Sequence, residues 1–170
     1  MDQSESAKFS EQAFQDIARY QENLFRLMIH SDDRALRVLS LYIATIGLII
    51  TAAFGLYQAK SLAAYPIIFL AGVTLSLAVG CVFAYSAAWS ADIYLPGRKP
   101  DFWRWANEIS NPDETIRAYL DQAQEMIIHN EKITNRAATR LGRSYQCGVI
   151  APLVGLGAAL FAWAARTFIS

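Results

Sequence analysis

Charge is missing from long stretches of this sequence. Val38–Ala59, Ser61–Ala91 and Ser144–Ala165 hold no Asp, Glu, Lys, Arg or His over 22, 31 and 22 residues. Cysteine is scarce: Cys81 and Cys147 both fall inside these runs, with no His or acid beside them. That pattern speaks against a disulfide or a metal centre, and both read as buried, inert thiols. There is no surplus of positive charge, fifteen Lys and Arg standing against fifteen Asp and Glu, so a nucleic-acid polymer finds no basic surface. Histidine occurs only as His30 and His129, and the spacing of Glu125 to His129 is one that any helix offers. No Ser-His-acid set, carboxylate pair or phosphate-cradling glycine loop stands out, so no enzyme, metal or cofactor is predicted.

The runs are rich in Leu, Ile, Val, Ala and Gly. A helix rises about 1.5 Å per residue and a bilayer core is about 30 Å thick, so each run is long enough to cross. All fifteen acidic residues lie in 1–33 or 92–131, outside the runs. The first 33 residues lack the basic start and cleavage site of a signal peptide, so the first span is expected to direct insertion. Arg34 and Arg37 precede the first run, Arg98, Lys99 and Arg104 follow the second, and Arg136, Arg140 and Arg143 precede the third. Only Lys60 and Arg166 fall on the opposite side. Basic flanks are retained in the cytoplasm, which predicts the N-terminus inside and the C-terminus outside.

The expected fold is all-α: a multi-pass inner-membrane protein with three transmembrane helices and a cytoplasmic helical bundle. Its segments are a cytoplasmic amphipathic helix (1–33), a transmembrane hairpin (34–91, spans about 38–59 and 65–91) and an interfacial aromatic loop (92–110). A second cytoplasmic helix (111–143) and a third transmembrane helix (144–166) complete it.

Both polar segments carry helical stripes. In the first, Ser10 is a cap candidate flanked by the staple pair Phe9 and Phe14; Phe14, Ile17, Gln21, Leu24 and Met28 recur at steps of three and four. In the second, Asn111 is the cap candidate before Pro112, and the stripe runs Ile116, Tyr119, Ala123, Met126, Asn130, Ile133, Ala137. Such spacing suits helices that pack side by side as a coiled coil, and one polar residue in each seam, Gln21 and Asn130, suits the fixing of register. Helices lying on the headgroups are the alternative, disfavoured by polar faces of mixed sign.

Phe102, Trp103 and Trp105, with Tyr94, cluster just after the second span, as rings that anchor at the headgroup level do. A cage for a base or a cation is the sharper reading of the same rings. In the second span Gly72, Ser76, Gly80, Ala84 and Ala88 form a row of small side chains, which permits close helix approach within a subunit or between copies. Shorter rows are Gly47, Thr51, Gly55 and Ala151, Gly155, Ala159. Arg34, Arg37, Arg136, Arg140 and Arg143 read as a basic collar on anionic lipid, or as a phosphate pocket where they meet.

The helix with the stripe Phe14–Met28, the hairpin Val38–Ala91 and the helix Thr115–Leu141 together resemble small bacterial defence membrane effectors of the SLATT type. The third span, Ser144–Ala165, is an addition to that pattern. The resemblance implies oligomerisation in the inner membrane and loss of the permeability barrier after a cytoplasmic signal. Expected partners are membrane lipid, further copies of the chain, and a protein or a signalling nucleotide. The alternative from another class is a non-conducting adaptor, scaffold or immunity-like protein that docks a partner through its cytoplasmic helices.

Overall fold

The computed structural model describes residues 3–58, 64–89, 93–95, 97, 99–108 and 112–169. They form four helices: α1 (Gln3–Gln58), α2 (Ala64–Ala88), α3 (Pro100–Glu108) and α4 (Pro112–Ile169). No strand occurs among the described residues. Three of the helices are long and apolar enough to cross a membrane, within Phe14–Gln58, Tyr65–Ala88 and Asp113–Phe168.

Two local starts illustrate how the helices are set. α1 begins well before Ser10, which lies inside the helix rather than at its cap. The segment before it, with Glu5, Ala7 and Lys8 and no Gly or Pro, has no feature that would stop a helix. α4 starts at Pro112, whose fixed φ suits the first helical position, and Asp113 and Glu114 place negative charge at the positive end of the helix. The predicted cap Asn111 lies outside the described residues, as do Lys60 and Arg98.

The chain divides into two compact units, Met1–His30 with Ser90–Asn135, and Ser31–Trp89 with Arg136–Ser170. The first is polar and the second apolar; α1 and α4 contribute to both without a break.

In the polar unit α1 and α4 meet in the same chain direction. The Phe14 ring stands edge-on to Tyr119, with centroids 4.9 Å apart. The Tyr20 hydroxyl donates to the Glu131 carboxylate. That charged acceptor, which stabilises the protonated phenol, holds the Tyr20 hydroxyl above its ordinary pKa. Gln21, Leu24 and Met28 of α1 and Ala123, Met126 and Asn130 of α4 are buried, while Ile17, Ile116 and Ile133 are half-buried.

In the apolar unit the core is Ala35, Val38 and Tyr42 of α1, Leu77, Ala84 and Ala87 of α2, and Leu141 and Ala151 of α4. Small residues dominate it because the helices approach closely, where dispersion between backbones supplies the attraction. The outer faces are apolar as well, with Leu48, Phe54, Val82, Val149, Leu153 and Phe161 all exposed. An apolar exterior around a small-residue core is the inverse of a soluble bundle and suits a lipid solvent.

Candidate functional site

Two places in the structure gather polar chemistry. One is a knot of hydroxyls inside the apolar unit; the other is a groove in the polar unit.

The knot follows from the small-residue row of α2, which runs antiparallel along α4. Gly72 lies against the Gly155 backbone so closely that a Cβ on Gly72 would stand 2.9 Å from the Gly155 Cα. A Cβ on Gly155 would in turn stand 2.7 Å from the Phe69 carbonyl. Further along, the Ser76 hydroxyl donates to the Cys147 carbonyl at 2.9 Å, and the Ser144 hydroxyl to the Gly80 carbonyl at 2.8 Å. Tyr42 of α1 fills the notch that Gly80 and Gly148 leave open, and its hydroxyl donates to the Ser144 carbonyl at 2.9 Å. Ala84 is fully buried and Ala88 half-buried at the end of the row. The row thus joins α2 to its own chain.

The shorter row of α1 differs. Neither Gly47 nor Gly55 has a neighbour beyond its own stretch of helix within 4 Å of where a Cβ would stand, and the Thr51 hydroxyl turns back to the Gly47 carbonyl at 2.9 Å. That face is open in the single chain.

The arginines are spread over different tasks. The Arg140 guanidinium donates to the Ser86 carbonyl at 2.7 Å, in the last turn of α2, where the helix dipole is negative. Arg143 lies 6.0 Å from the centroid of the Phe83 ring. Arg37 pairs with Asp33 at 3.7 Å on the surface of α1, and Arg34 and Arg136 are exposed. Arg140 and Arg143 therefore hold the end of α2, a use that spacing on α4 alone does not reveal. Beside Arg37's partner, burial and the nearby Asp33 charge push the Asp32 carboxyl above its usual range.

The groove lies in the polar unit, between the segment that leads into α3 and one face of α4. Asn130 organises it. Its side-chain amide donates to the Tyr94 carbonyl at 2.9 Å, and its side-chain oxygen accepts from the Tyr94 N–H at 3.1 Å. Asn130 thus pins an irregular segment, which has no neighbouring strand or helical turn to satisfy its backbone. Gly97 stands at φ +105°, a backbone conformation that residues with a Cβ rarely adopt. The Tyr94 ring rests edge-on against His129, with centroids 4.8 Å apart.

Two adjoining cavities result, sharing Tyr94, Gln122 and Met126. The larger, about 770 Å³, is also lined by Leu95, Lys99, Asp101 and Phe102. The smaller, about 270 Å³, is completed by Glu125 and His129. The Phe102 ring stands 5.5 Å from Trp105 and 6.2 Å from Tyr119 and is half-buried within the unit. Trp105 is at the margin of exposure, and the side chain of Trp103 lies outside the described residues. Exposed rings also stand at the ends of the apolar helices: Tyr85, Trp89 and Tyr145 at one end, Tyr57 and Trp163 at the other. Their signal was their position at the margins of the charge-free runs.

Among the described residues no cluster of His, Cys, Asp or Glu could hold a metal ion. Neither a protein-family model, nor a curated protein, nor a solved structure matches this chain.

Proposed function

We propose that this chain is an oligomeric inner-membrane protein that acts as a signal-gated, pore-forming or membrane-disrupting effector. Its N-terminus and polar unit lie in the cytoplasm and its C-terminus outside, on the distribution of basic residues. The observation that carries this reading is the open face of α1, Gly47, Thr51 and Gly55, a small-residue row left unused within a span. Such a row favours contact with another copy, since lipid tails give helices no other strong reason to meet.

We assign any conducting path to the space between copies, because the Ser76 and Ser144 hydroxyls close α2 onto α4 within the chain. Within one chain the hydroxyls of Thr45, Thr51, Thr74, Ser76, Ser86, Ser144 and Thr167 all donate to backbone carbonyls, and α2 is closed onto α4. The same saturation favours a second reading, a non-conducting adaptor or scaffold whose polar unit docks a partner protein.

Membrane potential in bacteria, followed by a voltage-sensitive dye after induced expression, separates the two. High expression drives assembly by mass action without the signal, so rapid collapse is expected for the native chain, and a delayed or absent one for an equally abundant Gly47→Leu/Gly55→Leu variant. Both positions have room for a larger side chain in the single chain, so the variant perturbs contact between copies. Unchanged potential with the native chain, together with a stoichiometric co-purifying protein, overturns the effector reading in favour of the adaptor.

A further inference from the structure

The paired cavities of the polar unit divide charge between them. In the smaller, Glu125 supplies a carboxylate beside the Tyr94 ring, the Met126 side chain and the imidazole of His129. That combination suits an ammonium group, which gains from a ring face and a carboxylate together. In the larger, Lys99 supplies the ammonium, while the Asp101 carboxylate is met by Arg104 at 3.4 Å. The balance there favours an anionic group. The Gln122 amide, at the junction of the two, can donate and accept. Leu95 and Phe102 offer apolar contact along the larger cavity.

The site is also prepared in advance. The two Asn130 bonds fix the Tyr94 backbone, so a ligand need not order that wall. The larger cavity falls in the size range of small-molecule sites, about 300–1,000 Å³.

From these features we propose that the groove binds an ammonium–phosphate zwitterion, the chemistry of a zwitterionic phospholipid headgroup or of its free glycerophosphodiester. The ammonium enters the smaller cavity toward Glu125 and Tyr94, and the phosphate stays in the larger one near Lys99. This assignment is independent of whether the protein conducts.

Calorimetric titration of the full-length protein in non-ionic detergent with glycerophosphocholine tests it. Saturable binding of one molecule per chain is expected. Choline alone and glycerol phosphate alone, each lacking one charge, should bind on the order of fivefold or more weakly. Glu125→Gln and Lys99→Met, both at exposed positions, should each weaken the zwitterion by about fivefold, again the scale of one exposed ring or charge contact.

Native mass spectrometry of the protein from cells distinguishes the sources. A retained zwitterionic phospholipid, lost in the Glu125→Gln/Lys99→Met double variant, identifies the headgroup; a lipid-free protein that still binds the free diester identifies the soluble compound. No saturable binding, equal binding of choline or glycerol phosphate, or unchanged affinity in both single variants overturns the proposal.

Discussion

Replacing Gly148 with alanine is the sharpest test of how the apolar unit is held together. A methyl group at that position would overlap the Tyr42 hydroxyl and stand 2.9 Å from Cζ and 3.2 Å from Cε1. The ring has little room to retreat, because its other edge faces Gly80, where a Cβ would come within 2.7 Å of Cε2. Overpacking of this kind costs about 1–3 kcal/mol. Turning the ring aside also breaks the 2.9 Å bond from the Tyr42 hydroxyl to the Ser144 carbonyl, at about 1 kcal/mol more. Alanine returns about 0.8–1 kcal/mol as the better helix former. The net expectation is a loss of about 1–3 kcal/mol in SDS-titration unfolding from mixed micelles, followed by tryptophan fluorescence.

Gly157→Ala is the matched control. Nothing lies within 4 Å of its Cβ position, so stability should hold or rise by up to about 1 kcal/mol. In a Tyr42→Phe background the hydroxyl is gone, and Gly148→Ala should cost at least about 1 kcal/mol less than in the native chain. Equal effects at Gly148 and Gly157, or additivity of Gly148→Ala with Tyr42→Phe, would refute the wedge.

Asn130→Leu removes both partners of the Tyr94 backbone while keeping side-chain bulk in the seam. Amide exchange at Tyr94 should rise about tenfold or more, with α1–α4 pairing in the polar unit retained; an unchanged rate would mean that the segment is held by other contacts. Arg140→Ala should lower the unfolding free energy of the apolar unit by about 1 kcal/mol in the same SDS titration, through the lost contact at the end of α2. Unaltered stability would show that this exposed bond contributes nothing.

Much of the fold was legible because lipid imposes simple rules. Three charge-free runs need three long helices, and the steps of three and four mark which faces they bury. The stripe in fact continues past the point where composition changes. On α1 the buried series Gln21, Leu24, Met28 goes on as Ala35, Val38, Tyr42, and on α4 Ala123, Met126, Asn130 is followed by Leu141, Ser144, Ala151. The change of composition from polar to apolar along α1 and α4 does not interrupt either helix.

Asn130 was visible as a polar residue in an apolar seam, but its task was not. Its partners belong to Tyr94, 36 residues away, in a segment with no period of its own. Arg140 was likewise visible as a cation near a span, while the carbonyl that it meets lies on another helix, 54 residues earlier. The contact of Phe102 with Tyr119 was hidden for a related reason: an aromatic residue near a span serves equally well as a headgroup anchor or as packing, and composition does not show the neighbour that it meets. Local pattern reports which face is apolar; it does not report which distant backbone group a polar tip will satisfy.

The wedge of Tyr42 also bears on biogenesis. A chain leaves the ribosome from its N-terminus, so α1 and α2 reach the bilayer before α4 exists there. Until then the phenol has no Ser144 carbonyl to meet; its partner is 102 residues downstream. The Gly80 carbonyl likewise waits for the Ser144 hydroxyl, 64 residues later. In hydrocarbon a lone hydroxyl is costly, so the early hairpin is an unfinished intermediate that the last helix completes. A chain halted before residue 144 would lack both of these bonds, so the closure of the apolar unit belongs to the last stage of synthesis.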